Sequence, residues 1–196
     1  EMRIIIKILL FFLLIQAKQL LGQDRCNCSA LSNIELELNA ALDSQDECLF
    51  HELLNVADLN IPICRQIFYY WKSEYFNKTN KPDSFGLYLN LFRKQLQIQP
   101  CDANSLKFNY LNAYFFVKSE KYDSASYYFL KTIDQAKKID DHHILAKANL
   151  GMGLVFDRIM QPLKAIQYYK KGISLSEQLK DDKILLSVLA NLQSSF

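Results

Sequence analysis

A forty-residue internal repeat constrains this chain more than any other feature. Shifting the sequence by forty positions superposes Phe76, Phe116, Phe156 and Phe196, and the same shift superposes Tyr88, Tyr128 and Tyr168. Between the second and third copies the match widens. Lys107 falls on Lys147, Asn109 on Asn149, Ala125 on Ala165, Lys131 on Lys171, Ile133 on Ile173 and Asp141 on Asp181. Ile144-Leu145 recurs as Ile184-Leu185, while Tyr70 and Tyr110 fall on Leu150. A unit of this length cannot bury its apolar face alone and must stack on its neighbours.

Each copy reads as two helices. In the clearest, Leu145 to Phe156 has the apolar spacing of a buried helix, and a break follows at Met160-Gln161-Pro162. Proline suits the first turn of a new helix, where its missing N–H is not needed. The second helix runs through Ala165, Tyr168, Tyr169, Ile173 and Leu175 at i, i+3, i+4 spacing, with lysines on the other face. Lys180-Asp181-Asp182 ends it and caps the next helix. The preceding copy repeats the plan: Leu106 to Val117, a turn at Ser119-Glu120-Lys121, Ser124 to Lys138, then Asp140-Asp141. The scarcity of turn residues agrees, since five Gly and four Pro are too few to punctuate a chain of many short strands.

These residues resemble the tetratricopeptide repeat family. Gly153 and Phe156, then Ala165 and Tyr169, follow its signature of a small residue midway in helix A, an aromatic three further on, a small residue in helix B and an aromatic four after it. Ala113, Phe116, Ala125 and Phe129 hold those places in the copy before. A spacing of forty, against about 34 in the usual repeat, resembles a lengthened variety. The resemblance is good over residues 103–196 and loose over 62–100. There Phe85 stands where the small helix-B residue belongs, and Asn77 to Asp83 reads as a longer loop, so irregular packing is expected. The fold implied is all-α: tandem antiparallel helix hairpins in a right-handed superhelix, an α-solenoid. Repeats are expected at about 62–101, 102–141 and 142–181, with a partial copy at 182–196 and a helical capping region at 24–61. Because Phe196 sits on the helix-A aromatic of a further copy, with no polar capping helix after it, a sequence truncated in mid-hairpin is expected.

The resemblance also implies a binding surface, a concave groove lined by helix A that holds an extended peptide or helix of another protein. Carried onto this chain, the groove positions are Lys107, Tyr110, Tyr114 and Lys118, then Lys147, Leu150, Leu154 and Arg158. Two tyrosines among basic residues suit an acidic or aromatic-containing segment. The Lys/Asn set with which some chaperone adaptors of the family clamp a C-terminal carboxylate is not reproduced.

Residues 1–23 read as a secretory signal peptide. Arg3 and Lys7 form a basic start, and Ile8 to Ile15 is an unbroken apolar run of the required length, too short to span a bilayer. An exported, periplasmic or secreted protein is therefore expected, membrane-anchored only through a segment beyond residue 196. Export permits disulfides among Cys26, Cys28, Cys48, Cys64 and Cys101. Cys26 and Cys28 are too close to bridge each other, so each is expected to look to a helix further on; the pairing stays open. Metal binding is disfavoured by the lack of a CxxC pair or a nearby histidine at ligand spacing.

Other chemistry finds little footing. Removing residues 1–23 takes away Arg3, Lys7, Lys18 and Glu1 and leaves the remainder without formal net charge, whereas a nucleic-acid binder carries a basic excess or stripe. No Gly-rich phosphate loop, GxSxG elbow or HExxH helix is present. In Asp140-Asp141-His142-His143, Asp is read as a helix cap and both histidines as exposed. His51 beside Leu53 and Leu54 is read as packed, and the aromatic run Phe68 to Trp71 with Tyr75 and Phe76 as core. The expectation is a protein-interaction module without catalytic site or cofactor. By analogy with the resembled family it is the sensory front end of a bacterial membrane transducer with a histidine-kinase or DNA-binding output. The alternatives are a free-standing adaptor or scaffold, or accessory repeats of an enzyme.

Overall fold

The computed structural model describes residues 28–180, which form nine α-helices and, among the described residues, no strand. In chain order they are α1 (Ser29–Ser32), α2 (Glu35–Ser44), α3 (Glu47–Leu54), α4 (Pro62–Lys78), α5 (Pro82–Ile98), α6 (Asp102–Lys118), α7 (Tyr122–Ile139), α8 (His142–Arg158) and α9 (Pro162–Leu179). The expected signal peptide and the partial copy at 182–196 lie outside the described residues. No helix among the described residues is long and apolar enough to cross a membrane.

From α4 onward the forty-residue ruler is a ruler of structure. Helices start at 62, 102 and 142, and their partners at 82, 122 and 162. Pro62, Pro82 and Pro162 occupy first turns, where a missing N–H costs nothing. The two helices of each pair are joined by the same Schellman-type turn, with a left-handed residue at Asn80, Glu120 and Met160. The amide after it donates back to the first helix in each case: Lys81 to Phe76, Lys121 to Phe116 and Gln161 to Phe156, at 3.0, 2.9 and 2.8 Å. The two aromatic columns meet beside this turn. Phe76 stacks on Tyr88, Phe116 on Tyr128 and Phe156 on Tyr168, with centroids 5.3, 5.5 and 5.4 Å apart. Each phenylalanine closes its own hairpin onto the tyrosine of the following helix, which is why both residue types keep one spacing.

The first repeat departs from expectation in two respects. Asn77 to Asp83 is not a longer loop: α4 runs on to Lys78, Pro82 and Asp83 already belong to α5, and the turn is as short as the others. Its packing is regular as well. Phe85 is fully buried in a cluster with Leu89 and Leu111. Where later copies pair a small residue with an aromatic one turn on (Ala125 with Phe129, Ala165 with Tyr169), this one pairs Phe85 with the smaller Leu89, so the bulk moves by a turn.

Within a pair the helices pack together, the second helix packs on the first of the next pair, and α4, α6 and α8 also touch in succession. Polar groups are placed where they are satisfied. Gln66 is wholly buried, yet its amide donates to the Gln99 carbonyl at 2.6 Å and its oxygen accepts from Asn104 at 3.0 Å. Asp141 caps α8 by accepting from the Ile144 amide at 2.9 Å, a contact worth about 1 kcal/mol.

The N-terminal region is a further hairpin on a different spacing. Gln45 is left-handed and the Asp46 amide donates to the Ala41 carbonyl at 3.0 Å, the same turn thirty-five positions before Asn80. Phe50 and Leu54 bury as Phe85 and Leu89 do. Leu38, Ala41 and Phe50 pack with Ile67, Trp71 and Tyr75 of α4 in one cluster, and Asp43 pairs with Lys78 at 2.6 Å across the two first helices. A disulfide between Cys28 and Cys64 ties the segment before α1 to the start of α4. Cys101 is also disulfide-bonded, and its Sγ caps α6 by accepting from the Asn104 amide at 3.4 Å. Cys48 is a free, exposed thiol.

Candidate protein-binding face

Residues spaced by three and four along a helix share one face, and α6 carries Lys107, Tyr110, Tyr114 and Lys118 on such a face. The repeat puts Lys147, Leu150, Leu154 and Arg158 at the matching places of α8, and Tyr70, Glu74 and Lys78 at those of α4. Since these three helices touch in succession, the residues line up in rows across them.

The centre of the face is Glu74, a half-buried carboxylate on α4. The Tyr70 hydroxyl donates to its Oε1 at 3.1 Å. Burial pushes the Glu74 carboxyl above the usual carboxylate range, opposed first by Lys147, then by the Tyr70 hydrogen bond, Lys107 and Lys78. Burial likewise raises the Tyr70 phenol well above its ordinary value, with the Glu74 charge adding to it. The Tyr110 phenol is raised well above its ordinary value by burial first, then by the neighbouring Tyr114 and Glu74. The Tyr110 and Tyr114 rings meet edge-on at 5.1 Å, and Tyr114 rests on Phe129 at 5.2 Å, which fixes both phenols from behind.

The expected lysines are present but partly engaged. The Lys107 ammonium lies 4.9 Å from the centre of the Tyr70 ring and 4.0 Å from Glu35; the second contact, long and exposed, is worth little. Lys118 is turned to the preceding hairpin, donating to the Asn77 carbonyl at 2.8 Å and to Asn80 Oδ1 at 3.0 Å. It braces that turn, and burial lowers its ammonium. Lys147 and Leu154 are half-buried and Arg158 is exposed.

Leu150 departs from the expected groove position. It is 4 % exposed and packs with Ala146, Ala165 and Tyr169 between α8 and α9. The cause is Gly172: a Cβ built there would lie 2.3 Å from Leu150 Cδ2, so the side chain fills space that glycine vacates. Tyr70 and Glu74 join this face, although the sequence pattern does not single them out. The ruler already aligns Tyr70 with Tyr110 and Glu74 with Tyr114, but the weak resemblance of the first copy hides them.

A pH dependence follows from Glu74. Its folded value lies above its unfolded one, so between the two the native state holds a proton that the unfolded state has released. Stability then falls as pH rises through that window. Glu74→Gln is expected to flatten the slope of unfolding free energy against pH above the ordinary carboxylate value near 4.5. An unchanged slope in urea titrations at several pH values would place the carboxylate in water.

Elsewhere, the Asp140 carboxylate lies 3.1 Å from His142 Nε2, and both His142 and His143 are exposed at the start of α8. His51 is half-buried between Phe50 and Tyr75, and burial, then Lys72, lower its value. The aromatic run is divided: Trp71 and Tyr75 are core, while Tyr70 belongs to the face.

The face presents phenols, ring surfaces, ammonium groups and one carboxylate on three packed helices. No protein-family model, curated protein or solved structure matches the chain.

Proposed function

We propose that this chain is a protein-interaction module of tetratricopeptide-like hairpins, wound as a right-handed solenoid, that holds an extended segment of another protein along the face of α4, α6 and α8. The observation that carries this reading is the row of Tyr70, Glu74, Tyr110 and Tyr114 between Lys107 and Lys147. The Tyr70–Glu74 hydrogen bond and the ring contacts of Tyr110 and Tyr114 preorganise this row, and preorganised aromatic and cationic groups are what binding hot spots are made of. The segment it suits carries carboxylates to pair with the lysines and aromatic rings to pack on the tyrosines.

The module works outside the cytoplasm in this reading. The signal-peptide pattern of residues 1–23 supports that placement, and so does the Cys28–Cys64 bridge, a bond that persists in oxidising compartments. As the sensory part of a membrane transducer, it passes partner binding to an output domain further along the protein; as a free adaptor, it assembles partners directly.

A twelve-residue probe peptide of alternating Tyr and Glu, fluorescently labelled, tests the face. Its affinity is expected to fall on the order of tenfold or more in Lys107→Glu with Lys147→Glu, and to weaken with added salt. It is expected to be unchanged in Lys94→Glu on α5. A probe that does not bind, or binds all three proteins alike, rules the face out.

A further inference from the structure

A second surface lies on the other helices of the pairs. Between α7 and α9 runs a groove of about 600 Å³. One wall is Leu130, Ile133 and Lys137 of α7, and the other is Tyr168, Lys171 and Leu175 of α9, with Leu145 of α8 as floor. On each wall the residues recur at three to four positions, so each presents one continuous stripe about two helical turns long, roughly 10 Å. Leu130 is 48 % exposed, an apolar side chain at the rim.

The charge of the groove is one-sided. Its charged lining residues are Lys137, Lys170 and Lys171. On α7, Asp134 is paired with Lys138 at 2.6 Å. Lys171 lies 4.8 Å over the Tyr168 ring, which holds the ammonium at the edge of the apolar floor. The groove one repeat earlier is built differently. Between α5 and α7 it is about 320 Å³, narrowed by Phe108 and Phe115 and lined by Asn90 and Asn112. The repeat positions of those two rings are Ala148 and Val155 in α8.

We infer that the α7–α9 groove receives an acidic amphipathic helix of a partner protein. Its apolar anchors at i, i+3 or i+4 and i+7 fill the strip between Leu130 and Leu175, and its carboxylates face Lys137, Lys170 and Lys171. The groove length matches two turns of such a helix, a common mode of recognition, and the all-cationic rim selects acidic flanks. This site is independent of the α4–α6–α8 face and stands or falls without it.

Selection of a displayed random twelve-residue peptide library on the disulfide-intact protein tests it. Synthetic versions of the enriched peptides are then titrated by fluorescence anisotropy. The expected result is a family with Leu, Ile or Phe at helical spacing and Asp or Glu between. Its affinity drops on the order of tenfold or more in Lys137→Glu/Lys170→Glu/Lys171→Glu and stays the same in Lys107→Glu/Lys147→Glu. Leu130→Ser alters one exposed side chain and no charge, so it serves as the second variant and is expected to weaken the same peptides. Circular dichroism confirms that the variants keep their helices. The inference is overturned if no such family is enriched, if its binding ignores both groove variants, or if the groove variants abolish binding to phosphatidylglycerol vesicles while no peptide binds.

Discussion

Replacing Gly151 with leucine is expected to destabilise the protein by about 3 kcal/mol, the upper end of what overpacking costs. A Cβ at Gly151 would lie 2.3 Å from two atoms of the Phe129 ring and 2.9 Å from a third, so the ring face itself occupies the place of the side chain. Leucine also raises helix propensity over glycine, but by at most about 1 kcal/mol, so the clash decides the sign. The repeat supplies the remedy. At the junction one copy earlier, Leu111 stands in the place of Gly151 and Leu89 in that of Phe129, and both leucines are buried in one cluster. Phe129→Leu should cost about 1–2 kcal/mol alone, through the cavity it leaves beside Tyr110 and Tyr114. Combined with Gly151→Leu it sets the leucine pair of the earlier junction here, with Ala125 in place of Phe85, and should recover about 2 kcal/mol relative to the sum of the singles. Urea unfolding of the four proteins measures this, and strictly additive losses would show that the two junctions are not equivalent.

The second large effect is expected from Cys28→Ala with Cys64→Ala. The bridge closes a loop with a sequence separation of 36, which in the chain-entropy account corresponds to about 4 kcal/mol. The N-terminal hairpin feels the loss first, because the bridge joins its leading end to α4. Its apolar contacts with Ile67, Trp71 and Tyr75 persist. Measured under oxidising conditions, where the Cys101 bond is left alone, the variant should unfold at clearly lower urea than the wild type. A difference within about 1 kcal/mol would mean that packing alone seats the hairpin and that the bridge adds little to the entropy already lost.

Much of this fold was legible because one spacing governs both chemistry and geometry. Phe76 and Tyr88 can keep the forty-residue interval only if they meet, and they do. The N-terminal hairpin escaped the ruler because its second helix, α3, is shorter, so its turn falls thirty-five positions before the next one. Ala41 also stands where the phenylalanine column would be. The polar string from Asn77 to Asp83 misled in the opposite direction, since residues that favour loops there end one helix and begin another.

The candidate face was only partly legible for a different reason. Helical spacing tells which residues share a side, and Lys107, Tyr110 and Tyr114 do. It does not tell how deep a side chain sinks, which depends on the helix behind it. Leu150 goes inward because Gly172 on α9 leaves room, a fact that lies twenty-two positions away in sequence. Glu74 gains its place only when α4, α6 and α8 are side by side, bringing lysines from two other helices to one carboxylate.

The left-handed turn residues bear on how the molecule opens. Gln45, Asn80, Glu120, Asp140, Met160 and Lys180 all hold positive φ, and none is a glycine. An L-residue in that conformation costs roughly 1–2 kcal/mol and stays there only while the structure on either side compels it. Once either helix of a hairpin loosens, the turn between them has every reason to relax, and the two helices let go together. Opening therefore couples the two helices on either side of such a turn, within each hairpin and, through Asp140, between α7 and α8.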